Sequence, residues 1–347
     1  MSSLNTRLCE LLGTEGLLEV QVIQELWSGC GQVARVRWMG GLGQDQRCGG
    51  EPGCGVVKHM RMPSEIDHPR GWNTDRSAKR KAESYAVETR WYSEWSGRCP
   101  SACRVPRCLG QAAWGDERLL LMEDVDASGY PRRVTGVTGE TLDELDACVR
   151  WLAAFHGTFL GAYSGGADSG GEGLWAKGTY WQLGTRPDEW ARMADGALKQ
   201  AAEAIDHALD ASPFQTVVHG DAKLANFCFP EAGAVTDGGV AAVDFQYVGG
   251  GCGMKDLAYL VGGCLDAEEC FREEERVLGV YFEALGAAMQ ERAVAVDPAA
   301  LEADWRRLYP FAWADFQRFL VGWSPGHWKI SPYSEHMTQR ALEMCRG

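Results

Sequence analysis

No apolar run in this chain of 347 residues reaches the roughly 18 residues that a membrane-spanning helix needs. The opening stretch, MSSLNTRLCELLGTEGLLEV, is polar, helical in pattern and without the apolar region of a secretory leader. Basic charge is also in short supply: 34 Lys and Arg against 48 Asp and Glu leave a formal charge of −14. Phosphate backbones and anionic lipid surfaces reward clustered Lys and Arg, so neither nucleic acid nor a membrane is an expected partner. Cysteine is present 13 times, an odd number, and scattered. The closest group, Cys99, Cys103 and Cys108, has no neighbouring His and none of the CxxC pairs of a zinc ribbon. The thiols are therefore expected to be reduced and the protein cytoplasmic. No internal repeat is visible.

What remains is ordinary globular material, with 45% hydrophobic and 24% charged residues. The length suggests two lobes. Residues 1–20 read as a helix carrying Leu8, Leu11, Leu12, Leu17 and Leu18. From Trp27 to Trp38 the chain reads as a strand, a glycine turn and a second strand, in which Ala34, Val36 and Trp38 alternate with Arg35 and Arg37. Residues 39–55 suggest a hairpin loop, Val56-Val57-Lys58 a short strand, Arg76 to Ser96 a helix, and Arg118 to Met122 an apolar strand. Thr141 to Leu160 is amphipathic, with Thr138 or Thr141 as its cap, and residues 161–173 form a glycine-rich loop. One helix is expected over 188–210, strands at 216–218, 227–229 and 240–243, and helices through most of 256–347. This divides the chain into 1–124, a small mixed lobe, and 125–347.

Chemistry concentrates in Val218-His219-Gly220-Asp221-Ala222-Lys223-Leu224-Ala225-Asn226 and in Val243-Asp244-Phe245-Gln246. A His-x-Asp closes an apolar strand, an Asn follows that Asp by five residues, and a second Asp ends the next strand of a hairpin. Phosphoryl transfer is mostly positioning and charge neutralisation, and each part has a use there. Asp221 can accept a substrate hydroxyl proton, and Lys223 can neutralise the transferring group. Asn226 and Asp244 offer hard oxygen ligands to Mg²⁺. Either motif alone is as well explained by a packed His and a capping or loop Asp.

HGDAKLAN resembles the catalytic loop of the protein-kinase-like superfamily, in the branch of aminoglycoside phosphotransferases, choline kinases and ecdysteroid-kinase-like enzymes. VDFQ resembles that branch's metal-binding segment, and Asp256 in KDLAY resembles the downstream Asp that braces the loop, where helix capping is the simpler alternative. The resemblance implies an α+β, bilobal protein-kinase-like fold with a small N-terminal sheet lobe and a larger, mainly helical C-terminal lobe. It implies ATP and Mg²⁺ as cofactors and an alcohol of a small molecule as acceptor. It assigns Lys58 to the α- and β-phosphates and a helix-borne Glu to pair with it, Glu88 in preference to Glu83. It matches Gly29-Cys30-Gly31 to the phosphate-covering loop, for which a plain hairpin turn is the alternative, and Glu123 to the backbone that reads adenine. Two other readings stand beside it: a non-catalytic nucleotide-binding module on the same scaffold, and a protein kinase. The latter is disfavoured by the eleven residues (245–255) between Asp244 and Asp256, too few for a peptide-docking loop. The aromatic residues Trp175, Tyr180, Trp181, Trp190, Trp305, Trp313, Phe316, Trp323, His327 and Trp328 either line an acceptor pocket or pack the core. Choline-like, aminoglycoside-like and steroid-like acceptors all remain open, with Glu302, Asp304 and Asp315 as candidates to attract an amine.

Overall fold

The computed structural model describes residues 3–26, 29–40, 52–61, 74–137, 142–162, 173–232 and 239–346. Helix α1 (Ser3–Leu12) repeats Leu4, Leu8 and Leu12 at helical spacing, and all three are buried. Gly13, at φ +63°, stops it. Beyond Gly16 the β-branched Val20, Val22 and Ile23 favour an extended chain, and strand β1 (Leu17–Glu25) follows. The expected helix over 1–20 is thus a helix, a turn and a strand, and the first strand starts at Leu17 rather than Trp27.

Strands β2 (Gly31–Trp38), β3 (Gly53–Met60), β4 (Cys108–Trp114) and β5 (Glu117–Met122) complete an antiparallel sheet in the order β1-β2-β3-β5-β4. Ala34, Val36 and Trp38 from β2, Val57 from β3 and Leu119 and Leu121 from β5 share one buried cluster with the leucines of α1. Because side chains alternate across a strand, burying Val57 against α1 turns Lys58 to the other face. Helix α2 (Asp75–Arg90) starts at Thr74, whose hydroxyl accepts the Ser77 N–H. It runs on into a wide π-helical turn that buries Trp91, Tyr92 and Trp95. Strand β4 had no sequence signal: Gly110, Gln111, Ala112 and Ala113 offer no branched apolar alternation, and it lies at the sheet edge beside β5 alone.

These elements belong to one compact unit, Met1–Gly97 with Val105–Pro131; the second is Arg98–Arg104 with Arg132–Gly347. In the second unit α3 (Leu142–Thr158) is buried along most of its length. The helix expected over 188–210 is three: α4 (Pro187–Arg192), α5 (Ala197–Gln200) and α6 (Ala202–Asp210). Met193 caps the first in an extended conformation (ψ 139°) and Gly196 is extended before the second, so the ladder breaks between them. Strand β6 (Thr216–Val218) pairs with β9 (Gly249–Gly251), and β7 (Phe227–Cys228) with β8 (Ala241–Ala242). Helices α7 (Met254–Cys264), α8 (Ala267–Glu291), α9 (Pro298–Trp323) and α10 (Pro332–Met344) follow. The fold is α+β, an antiparallel sheet in the first unit and mainly helices in the second. Thr138 and Thr141, most of the 161–173 stretch and most of the 39–55 loop lie outside the described residues. Among the described residues, no helix is long and apolar enough to cross a membrane.

Gly31 is a sharp test of the first unit. Its φ of +122° suits glycine alone, and a Cβ there would run into the His59 carbonyl of β3. Gly31→Ala should destabilise the fold by about 2 kcal/mol or more, read as a lowered urea midpoint, whereas Gly97→Ala, where a Cβ meets nothing within 4 Å, should leave the midpoint nearly unchanged.

Candidate active site

Strand β6 delivers His219-Gly220-Asp221 into the second unit's interior. Gly220 turns the chain at φ +80°, and a Cβ would strike the Tyr247 carbonyl and come within 2.7 Å of the Thr179 nitrogen. The loop is braced from α7. Asp256, wholly buried, accepts the His219 N–H on Oδ2 (2.6 Å) and the Gly220 N–H on Oδ1 (2.9 Å). His156 Nε2 lies 3.2 Å from the same Oδ2, and its Nδ1 lies 2.6 Å from the Tyr281 hydroxyl. Burial alone would push the Asp256 carboxyl up, but the His156 ring and the Gly220 N–H outweigh it and hold the group below its ordinary value of 3.8.

His219 ties this loop to the hairpin. Its Nε2 faces the Val243 carbonyl at 3.1 Å and its Nδ1 accepts the Asp221 N–H at 3.2 Å. A carbonyl only accepts and an N–H only donates, so the Nε2–H tautomer satisfies both. The Val243 N–H in turn donates to the Asn226 carbonyl (2.9 Å). Pinned on both sides at Val243, the chain leaves β8 with Asp244 at φ +70°, a left-handed conformation rare for a residue with a side chain. Gln246 Nε2 donates to Asp244 Oδ1 at 2.7 Å and fixes the carboxylate's direction. Phe245 turns inward, its ring 4.5 Å from that of His219.

The Asp221 carboxylate is held from two sides. Oδ1 accepts from the Tyr259 hydroxyl (2.9 Å). Oδ2 accepts from Lys223 Nζ (2.9 Å) and Asn226 Nδ2 (3.3 Å). Asn226 Nδ2 also donates to the Asp221 carbonyl (2.8 Å), so the amide's nitrogen is spent and no donor among the described residues bonds its oxygen. Partial burial acts to lower the Lys223 pKa, but the Asp221 and Asp244 carboxylates together outweigh it and raise it. Burial, then the nearby Asp221 charge, keeps Tyr259 well above the ordinary phenol value, so it stays a donor. Asp221, Lys223, Asn226 and Asp244 are thus gathered in one place: a carboxylate with fixed lone pairs, a cation, and two hard oxygen groups.

In the first unit Lys58 Nζ lies 2.8 Å from Glu88 Oε1 and 2.7 Å from Oε2, with both residues buried. Glu83, the competing position, is exposed on the same helix. Gly29 (φ +69°) and Gly31 form the turn between β1 and β2, closed by the Leu26 N–H on the Gly31 carbonyl (2.8 Å). Glu123 is engaged by its own neighbours: its carboxylate takes the Ser128 hydroxyl (2.7 Å) and the Arg107 N–H (3.1 Å), and its N–H donates to the Arg107 carbonyl (2.9 Å).

Several participants were not singled out from sequence. Tyr259 sits three residues after Asp256 on α7, one turn along the same face, a spacing that could have revealed it. Thr179 could not have been found so: it arrives from a distant loop together with Tyr180, one of the aromatics named from the sequence, whose N–H donates to the Gly220 carbonyl (3.1 Å). Of the candidate aromatics, Trp181, Trp305, Trp313 and Trp175 are buried, and Trp328 is broadly exposed, at 67%. Of the candidate amine-binding acids, Asp315 is buried beneath Arg318 (2.8 Å) and Lys255 (3.3 Å). Asp304 is bonded to Ser212 (2.7 Å) and Arg307 (2.6 Å), and Glu302 to Arg306 (2.7 Å).

The model of a phosphotransferase enzyme family matches residues 73–327. No match was found among curated proteins. Solved structures with a similar chain include the microcompartment-associated aminopropanol kinase, at 15% identity and a TM-score of 0.38 over 94% of this chain and 90% of that one. Amicoumacin kinase hAmiN in complex with AMP-PNP, Ca²⁺ and Ami is 14% identical, with a TM-score of 0.47 over 94% and 87%. An aminoglycoside-3′-phosphotransferase of type VIII is 16% identical, with a TM-score of 0.39 over 85% and 93%.

The depressed Asp256 carboxyl sets an acid response. Its stabilising effect is complete above the unfolded value of 3.8 and is lost as pH falls through the lower native value. Wild-type urea midpoints should therefore fall steeply on acidification below pH 3.8. Asp256→Asn, which sets an amide NH₂ against a backbone N–H, should lower stability at pH 7 by about 2–4 kcal/mol, read as a lower urea midpoint, and show a shallower acid slope.

Proposed function

Since the chain belongs to the phosphotransferase enzyme family, we propose that it transfers the γ-phosphate of ATP, with Mg²⁺, to the hydroxyl of a small molecule. The observation that carries this reading is the fixing of Asp221 by Tyr259, Lys223 and Asn226, with Asp244 held on the adjoining hairpin. Asp221 is the catalytic base. The acceptor oxygen attacks the γ-phosphorus, its proton passes to Asp221, and the bond to the β,γ-bridging oxygen breaks with its electron pair leaving on ADP. Lys223 neutralises charge on the group in transfer.

The donor set suits Mg²⁺ bound to a nucleotide. The Asn226 amide oxygen and the Asp244 carboxylate would hold the ion, with phosphate oxygens and waters completing the shell, as is usual for Mg²⁺. No group of three or more His, Cys, Asp or Glu side chains suited to hold a metal by themselves occurs among the described residues. When bound, the ion supplies charge neutralisation at the phosphates. In the first unit, the Lys58 ammonium clamped by Glu88 suits nucleotide phosphate oxygens; the Gly29 and Gly31 turn is assigned to the phosphates, and the position of Glu123, whose N–H is spent on the Arg107 carbonyl, to the adenine.

The path of the chain beyond Asp244 favours a small acceptor over a peptide. The chain enters β9 at Gly249, pairs with β6 and begins α7 at Met254, so these residues are used in the core rather than in a docking loop.

The test is turnover on a panel of hydroxylated metabolites, with ATP and product followed by mass spectrometry. Asp221→Asn should lower kcat by about 10²–10⁴-fold while the protein stays folded and ATP affinity holds. Asp244→Asn should abolish the metal dependence together with turnover, and EDTA should stop the wild type until Mg²⁺ is restored. Full ATP-dependent turnover in both variants would refute the assignment. ATP binding without turnover on any acceptor would favour a non-catalytic module.

A further inference from the structure

The two sides of the Asp221 carboxylate face different chemistry. Oδ2 faces Lys223 and Asn226, the groups proposed for phosphate and metal. Oδ1 faces Tyr259, and the Tyr259 ring carries a second cation. Lys329, from the link between α9 and α10, sets Nζ 4.2 Å from the Tyr259 ring centroid and 5.5 Å from those of Phe316 and Trp328. It lies against α7 at Gly263, where a Cβ would come within 2.9 Å of Nζ. Among the described residues, no carboxylate forms an ion pair with it. Partial burial, aided by the charge of Lys223, pushes its pKa down to about 8 against the pull of Cys264 and Asp221. An ammonium half removed from water with no counter-ion is a costly arrangement, and an anionic ligand relieves it.

We propose that Lys329 is a specificity residue for the acceptor, and that the acceptor is a hydroxylated anion whose carboxylate or phosphate lies a few bonds from the hydroxyl that is phosphorylated. This rests on Asp221 being the base. A molecule whose hydroxyl bonds Asp221 on the Oδ1 side lies along Tyr259, within reach of Lys329. A cationic acceptor is disfavoured twice over. The Tyr259 face that would receive a quaternary ammonium is already occupied by Lys329. Asp315, Asp304 and Glu302 are each engaged by Arg or Lys partners, so none remains open to an amine.

The full chain is assayed with ATP and Mg²⁺ on matched hydroxy acids, sugar phosphates, neutral alcohols and amino alcohols of similar size. The first two arms distinguish carboxylate from phosphate. Turnover should concentrate in one of those two. Lys329→Met should raise KM for that acceptor by about tenfold or more, the worth of one charged hydrogen bond, with kcat within about threefold and KM for ATP unchanged. Lys329→Arg should recover most of the loss. Preference for a neutral or cationic alcohol, abolished by Asp221→Asn and indifferent to Lys329→Met, overturns this inference and leaves the base assignment standing. Turnover that survives Asp221→Asn, or no product from any class, overturns both.

Discussion

One carboxylate organises the second unit. Asp256 accepts two consecutive backbone N–H groups, those of His219 and Gly220. Those two bonds fix the turn at φ +80° that aims Asp221. Everything around the site hangs on this anchor in sequence: His219 reaches Val243, Val243 reaches Asn226, and Asn226 reaches back to Asp221. The circuit closes on itself, since Asn226 Nδ2 meets both the Asp221 carbonyl and its Oδ2. The unusual conformation of Asp244 follows from it, since a chain held at Val243 on both edges has few other ways to leave the strand. Buried polar networks of this kind rigidify a site when their members are satisfied, and here the backbone groups of the loop are satisfied within it while the Asn226 amide oxygen is left over.

The sequence was most informative where chemistry and periodicity coincide. The spacing of Asp221, Asn226 and Asp244 about a hairpin placed all three together, and the alternation of Ala34, Val36 and Trp38 identified the buried face of β2. Glu88 was distinguished from Glu83 through resemblance, and burial of Glu88 beside Lys58 agrees with that choice. Legibility failed where local signals are weak or long-range packing decides. Strand β4 is built of small residues and takes its conformation from β5. The first helix ends early because Gly13 and the branched residues after Gly16 outweigh the leucine pattern. Thr179 and Lys329 come from segments far from Asp221 along the chain, and no local period could announce them.

The aromatic wealth of the chain divides by depth. Trp181, Tyr259, Phe316, Phe319 and Leu320 form one buried cluster with Tyr180 and Trp323 against it, while Trp151 and Phe245 pack on His219 and are backed by Phe155 and Phe227. Core packing is therefore the main use of these rings. A few keep a polar duty as well: Trp181 donates to Asp315 (3.1 Å), Trp151 to the Arg104 carbonyl (2.9 Å) and Trp175 to the Gln246 carbonyl (2.8 Å). The amphipathic ring, apolar in body and polar at one edge, lets the same residue fill space and hold backbone near the site.

The path of the chain between the units has a consequence for its birth on the ribosome. Residues Arg98–Arg104 belong to the second unit although the sequence on either side belongs to the first. Their partners, among them Trp151, Thr158 and Ala242, are translated later. The nascent first unit must finish its sheet around a segment that has nothing yet to bind, and no single proteolytic cut can release either half whole. Synthesis from one end to the other thus completes this short thread before the residues it bonds exist.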